Sequence, residues 1–207
     1  MPPWIEYFAV AVCAITAVLA AEGKRMDLFG VMVLALVTAV GGGTIRDLCL
    51  GVRPVFWIKQ PHHVWTALIA ASVTFVVVRF THLPKKVLAI ADAFGLALFG
   101  IAGTEKALAF GAPGIVAILL GIVTGVAGGI LRDVLRGELP LVFQPDVNLY
   151  ATAVFVGALV FVLLEKWLLV SESHRYIGMT VILVLRLAAM RWRLRLPTFQ
   201  SRTKSSG

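Results

Sequence analysis

Residues 38–56 read Thr-Ala-Val-Gly-Gly-Gly-Thr-Ile-Arg-Asp-Leu-Cys-Leu-Gly-Val-Arg-Pro-Val-Phe: three consecutive glycines in an apolar run, then an arginine and an aspartate. Residues 124–143 return to it: Thr-Gly-Val-Ala-Gly-Gly-Ile-Leu-Arg-Asp-Val-Leu-Arg-Gly-Glu-Leu-Pro-Leu-Val-Phe. Thr38 matches Thr124, Gly42 Gly128, Gly43 Gly129, Arg46 Arg132, Asp47 Asp133, Gly51 Gly137 and Pro54 Pro140. All share the offset that separates Arg132 from Arg46, 86 residues. Chance does not align so many helix-breaking or charged residues. The chain is an internal duplication, and the repeated feature is a glycine-broken, charged membrane helix.

The composition agrees with a membrane setting. Of 207 residues 59% are hydrophobic and 14% charged, with mean hydropathy +0.92, where soluble domains run near 45–50% apolar and about 25% charged. The apolar runs approach the ~20 residues of a spanning helix, and they lack the alternation of a barrel strand. The net charge of +8 does not point to nucleic acid, because Lys and Arg mark membrane flanks. Cys13 and Cys49 lie in apolar stretches and read as small buried hydrophobes. No zinc spacing, Walker loop or nucleophile elbow is present. Gly41-Gly42-Gly43 follows a helix rather than a strand, so it is no phosphate cradle. No enzyme chemistry and no cofactor are expected.

Hydropathy predicts seven helices, near 5–21, 28–50, 63–80, 87–108, 114–135, 147–169 and 176–191. The first lacks a basic leader segment and reads as a retained span. All five tryptophans (Trp4, Trp57, Trp65, Trp167, Trp192) fall at or just beyond a helix end, the headgroup level that amphipathic rings favour. One side of the membrane collects Lys24, Arg25, Arg79, Lys85, Lys86, Arg132, Arg136 and every Lys and Arg from Arg186 on. The other holds Arg46, Arg53, Lys59, Lys106, Lys166 and Arg175. The richer side faces the cytoplasm, so the N-terminus is expected outside and the C-terminus inside.

Three helices per repeat is odd, so the second repeat enters from the opposite face. The expected organisation is a first three-helix repeat over 1–85, an inverted one over 86–170, a seventh helix within 171–195 and a disordered tail over 196–207. Broken helices of inverted repeats meet near the midplane and form permeation or binding sites.

A helix interrupted in lipid leaves backbone groups unpaired and survives only where it lines water or is buried in protein. The glycines Gly41, Gly42, Gly43, Gly128 and Gly129 therefore read as kinks in helices two and five. Freed carbonyls there, with Thr38, Thr44 and Thr124, line a polar path. Close packing through small residues is the competing reading. Arg46, Asp47, Arg132 and Asp133 are intramembrane charges, which are rare and face a partner or a cavity. Adjacent residues point about 100° apart on a helix, so each Arg is free to meet an acid of the other repeat; ionic latches holding the half-helices are the alternative. Asp92 stands in apolar helix four without a basic neighbour on that helix and reads as a site, or as the partner of Arg46 or Arg132.

Gly-Gly-Gly-Thr-Ile-Arg-Asp followed by Gly and Pro, repeated as Gly-Gly-Ile-Leu-Arg-Asp, resembles the bacterial members of the trimeric intracellular cation channel (TRIC) family, also known as the glycine-transporter or UPF0126 group. The resemblance covers about residues 5–190. It implies an all-α integral membrane protein of the prokaryotic inner membrane, a seven-helix protomer and a homotrimer. It further implies an hourglass pore inside each protomer, between kinked helices two and five. The implied permeant ions are K⁺ above all, or Na⁺, with bound lipid as a further partner. On physics alone, a secondary transporter for glycine or another small zwitterion suits the inverted repeat as well.

Overall fold

The computed structural model describes residues 1–81, 84–144, 149–168, 171–192 and 194. In chain order the described helices are α1 (Pro3–Ala21), α2 (Leu28–Cys49), α3 (Phe56–Lys59), α4 (His62–Phe80), α5 (Lys85–Ala109), α6 (Gly114–Leu135), a 3₁₀ turn (Leu141–Phe143), α7 (Tyr150–Trp167) and α8 (Ser173–Trp192). Helices two and five of the sequence reading are α2 and α6. Four-residue α3 and the 3₁₀ turn fill the two proline-containing loops, where the sequence reading had only loop; segments so short carry no readable period. The proposed tail, 196–207, lies outside the described residues.

Six of the long helices are apolar enough to cross a membrane by length and composition, and α8 is not. The seventh expected helix is present as α8, which carries Arg175, Arg186 and Arg191 and begins at Ser173 rather than Tyr176. Helix α8 docks through polar contacts. Arg175 Nη2 meets Glu105 Oε1 of α5 at 3.0 Å, and His174 Nδ1 meets Glu165 Oε1 of α7 at 2.9 Å. Arg186, 2% exposed, lies over the Tyr150 ring at 4.6 Å, a cation–π arrangement.

Two apolar cores form. One joins α1, α2 and α4 and is rich in alanine (Ala9, Ala14, Ala17, Ala21, Ala35, Ala39, Ala67, Ala71). Small residues bring backbones close where lipid supplies no hydrophobic contrast between helices. The other joins α5, α6, α7 and α8 around Leu96, Ile101, Val154, Phe161 and Ile182. Outward-facing Phe29, Trp65, Phe80 and Trp167 are largely exposed, as lipid-facing side chains are.

The two halves meet where α2 crosses α6. A Cβ on Gly42 would stand 2.1 Å from the Thr124 carbonyl oxygen; a Cβ on Gly128 would stand 2.4 Å from that of Thr38. These are one contact seen twice, because the 86-residue offset turns Gly42 into Gly128 and Thr38 into Thr124. Moving four residues forward on α2, from Thr38 to Gly42, moves four back on α6, from Gly128 to Thr124. The crossing is antiparallel and obeys a local two-fold.

The expected glycine break is corrected here. Both α2 and α6 run as continuous helices through their glycines. The threonine hydroxyls cap carbonyls of their own helices: Thr38 donates to Leu34 O at 2.7 Å, Thr44 to Val40 O at 2.7 Å and Thr124 to Leu120 O at 2.5 Å. Gly42 and Gly128 serve close packing, which tolerates no side chain against a backbone carbonyl.

Gly42→Ala and Gly128→Ala are therefore expected to destabilise the protein by about 1–3 kcal/mol each, as overpacking does, despite the up to ~1 kcal/mol that Ala gains over Gly in a helix. A Cβ on Gly129 would stand 3.2 Å from the Tyr150 hydroxyl, with Arg132 Nη2 and Asp92 Oδ1 at 3.8 Å and no backbone in the way, so Gly129→Ala is expected to cost less than either. Thermal unfolding in detergent separates the three.

Candidate functional site

Each repeat motif folds into the same unit at the end of its helix. Gly51, with φ +69°, ends α2, and Gly137, with φ +68°, ends α6. Gly51 N donates to Leu48 O and Val52 N to Asp47 O; Gly137 N donates to Val134 O and Glu138 N to Asp133 O. This is the Schellman pattern, which places Gly in the left-handed region just past the helix. The aspartate side chain then clamps the loop beyond the helix end. Asp47 Oδ2 accepts from Phe56 N at 2.9 Å, and Asp133 Oδ2 from Leu141 N at 3.1 Å.

The arginines complete the clamps. Arg46 Nε donates to Asp47 Oδ1 at 2.8 Å, and Arg132 Nε donates to Asp133 Oδ1 at 2.8 Å. Of the two readings the sequence left open, the ionic latch is the one seen: each long arginine side chain folds back on its own neighbour rather than reaching an acid of the other repeat. At the α2 clamp a bond between the halves is made by Lys106 of α5, whose Nζ reaches Asp47 Oδ1 at 2.8 Å. Asp92 of α5 takes Arg132 Nη1 at 2.9 Å, within the second half. Side chains of Asp47, Asp92, Arg132 and Asp133 are all at most 6% exposed, and Arg46 is 8%. Arg46 and Arg132 are thus each matched by buried carboxylate, as burial of charge demands.

Cavities run between the two ends of the bundle. One of about 400 Å³ is lined by Glu6, Arg46, Phe56, Lys59, Glu105 and Lys106, at the start of α1 and the end of α2. One of about 690 Å³ is lined by Glu22, Lys24, Arg132, Asp133, Arg136 and Glu138, at the ends of α1 and α6. The 19 residues of α1 separate them by about 28 Å at 1.5 Å per residue, close to the ~30 Å of a bilayer core. Lys24 and Glu138 form an ion pair at the wider mouth, and the ammonium holds that exposed carboxyl below the usual carboxylate range.

Between these vestibules lie two small cavities. One of about 20 Å³ is bounded by Glu6, Arg46, Phe56, His63 and Phe99. The other, about 10 Å³, is the waist at the α2–α6 crossing, lined by Cys13, Thr16, Thr38, Gly42, Gly43, Asp92, Phe99, Thr124, Gly128, Gly129 and Arg132 among others. Neighbouring cavities share walls: Arg46 and Phe56, then Phe99, then Arg132. The waist holds about one water, which needs roughly 10–15 Å³, so this conformation is shut to a hydrated ion.

Of the sequence candidates, Thr38, Gly42, Gly43, Asp92, Thr124, Gly128, Gly129 and Arg132 meet at the waist. Gly41 does not; its Cβ position is taken by the Leu131 side chain. Thr44 faces Trp57, whose Nε1 donates to it at 3.0 Å. Arg46 lines the narrower vestibule and Asp133 the wider one, while Asp47 is buried in its clamp. Sequence reasoning passed over Glu6, His63, Lys106 and Tyr150. Glu6 is one 86-residue offset before Asp92, so the repeat pointed to it. His63 Nε2 stands 3.4 Å from Glu6 Oε2, and the Tyr150 hydroxyl stands beside Gly129 with Asp92 and Arg132.

Known proteins share this sequence pattern and this architecture. The family described as glycine transporter matches the chain twice, over residues 3–79 and 89–166. The chain is 46% identical over 198 residues to the UPF0126 inner membrane protein YadS of Escherichia coli, covering 95% of each. It is 31% identical over 200 residues to the UPF0126 membrane protein YvgT of Bacillus subtilis, covering 93% of this chain and 94% of that one. Among solved structures, a trimeric intracellular cation channel orthologue from Rhodobacter sphaeroides superposes with TM-score 0.87 at 38% identity, over 92% of this chain and 97% of that one. A second TRIC cation channel gives TM-score 0.87 at 32% identity, over 98% and 99%.

Removing one partner of a buried ion pair costs about 3–5 kcal/mol, and an exposed pair contributes about 1 or less. Asp47→Ala strips the clamp from Arg46, Phe56 N and Lys106 together and is expected at the upper figure, with Asp133→Ala beside it. Lys106→Met, at a side chain 27% exposed, is expected near the lower. Equal costs for Asp47→Ala and Lys106→Met in thermal unfolding would show that the α2 clamp contributes little.

Proposed function

The chain belongs to the glycine-transporter family of UPF0126 membrane proteins, and from that footing we propose that it is a cation channel with one pore inside each protomer. Its likeness to solved cation channels carries the reading, and the two vestibules joined through a one-water waist support it. The pore runs between α2 and α6, and the protein works as a homotrimer that conducts K⁺. The basic residues along this path do not forbid a cation. Arg46 and Lys106 share Asp47 on a vestibule wall that also carries Glu6 and Glu105, while Arg132 and Arg136 are met by Asp92 and Asp133, so carboxylates offset the positive charge along the path. The glycines act as hinge points from which the waist widens. The repeats divide at about residue 85, the charge bias sets the C-terminus in the cytoplasm, and bound lipid covers the apolar outer face.

A secondary transporter for glycine is the other reading, favoured by the family's description. In this conformation the waist, with room for about one water, passes neither glycine nor a hydrated ion, so the likeness to solved cation channels is what favours the channel.

Planar-bilayer recording under a KCl gradient tests the proposal. Discrete unitary currents reversing near the K⁺ equilibrium potential are expected. A silent bilayer, together with proteoliposomes that accumulate labelled glycine under an ion gradient, would overturn it in favour of the transporter. Gly42→Leu is a poor silent control, because it destroys the α2–α6 crossing; Leu88→Trp, on the wider vestibule wall, narrows the path away from that contact and is expected to lower unitary conductance.

A further inference from the structure

Asp92 is 6% exposed and lines the waist. Its Oδ1 is paired with Arg132, but its Oδ2 is buried and accepts no hydrogen bond. A buried carboxylate oxygen without a donor is costly, and such an atom at a cavity wall calls for a ligand.

The rest of the wall says of which sign. Thr16, Thr38 and Thr124 each spend their hydroxyl proton on a carbonyl of their own helix. A hydroxyl has one proton and two lone pairs, so toward anything else these three oxygens can only accept. The backbone N–H groups here are spent in the helices. What remains as donor is Arg132, the weak thiol of Cys13 and, behind Asp92 beside Gly129, the Tyr150 hydroxyl. The waist is thus a cluster of acceptors with one cationic side chain aimed into it.

That side chain can withdraw without losing its partner. Arg132 grips Asp133 through Nε at 2.8 Å and Nη2 at 3.2 Å, while Nη1 alone reaches Asp92. Letting go of Asp92 breaks one bond of the fork and leaves the guanidinium paired. Asp92 is then an unmatched carboxylate in a space of one water's size, among hydroxyl acceptors.

We propose that the waist is a binding site for one dehydrated monovalent cation, held by Asp92 Oδ2 with the hydroxyl oxygens of Thr38 and Thr124, and that the Arg132 guanidinium is a tethered rival for the same carboxylate. This rests on the channel reading and adds to it the point at which the ion is stripped of water and the residue that competes with it. A wall of acceptors disfavours anions. Opening is then an exchange of one cation for another on Asp92.

Two measurements on the full chain test it separately from conduction. The first is thermal unfolding in detergent, titrated with KCl against choline chloride at constant ionic strength. A ligand that binds the folded state alone raises the unfolding temperature in a saturable way. Wild type is expected to show a saturable K⁺-specific rise. Asp92→Asn is expected to weaken apparent K⁺ affinity by about tenfold or more, the loss of a charge-assisted contact. Arg132→Gln, which removes the rival, is expected to strengthen it. If Asp92→Asn does not fold, Thr124→Val, which leaves the ion pair intact, takes its place and is expected to weaken K⁺ affinity too. The second measurement is the wild-type bilayer current. Currents without K⁺-specific stabilisation, or with stabilisation unchanged in these variants, would overturn the site and leave the channel. Saturable K⁺ binding lost in Asp92→Asn, in a protein that passes no current, would uphold the site and overturn the channel.

Discussion

The rest of the molecule depends on two backbone-to-backbone approaches, Gly42 onto the Thr124 carbonyl and Gly128 onto that of Thr38. They set the distance between the halves. Because α2 and α6 come this close, the cavity between them shrinks to about one water, and the side chains at its edge become a barrier. Larger residues here would hold the helices apart and leave an open slot. Small residues stand where bulk would ordinarily close a core, since in lipid close helix contact comes from the absence of side chains.

The charges are the second constraint. Five buried ionisable groups within apolar helices would be intolerable singly. They are tolerated because each helix end folds its arginine, its aspartate and its left-handed glycine into one compact unit. The same aspartate binds the arginine, a backbone N–H of the next loop and, in the first half, Lys106 of the other half. The carboxylate that offsets the arginine also anchors the turn that ends the helix.

Much of this was legible in the sequence. The 86-residue offset gave the duplication, and the hydropathy gave the spans. The paired Arg-Asp residues and Asp92 marked the ionic centre. What escaped did so for physical reasons. A glycine cluster looks alike whether it bends a helix or admits a neighbour, and only the carbonyl at 2.1 Å decides. Helical geometry sends Arg46 and Asp47 in different directions from their Cα atoms, yet an arginine is long enough to fold back. Lys106 looked like a flank residue because its partner, Asp47, is distant in sequence. Glu6 was passed over although the same offset carries it onto Asp92. Helix α8 was legible as a helix, but not that Arg175, His174 and Arg186 on it would find acids and an aromatic ring inside the protein.

The self-matching form of the α2–α6 crossing has a kinematic consequence. Sliding one helix along the other by a single turn would bring Cβ-bearing residues such as Thr38 onto carbonyls that tolerate only glycine. The crossing therefore acts as a stop, which fixes the register of one half against the other along the helix axes.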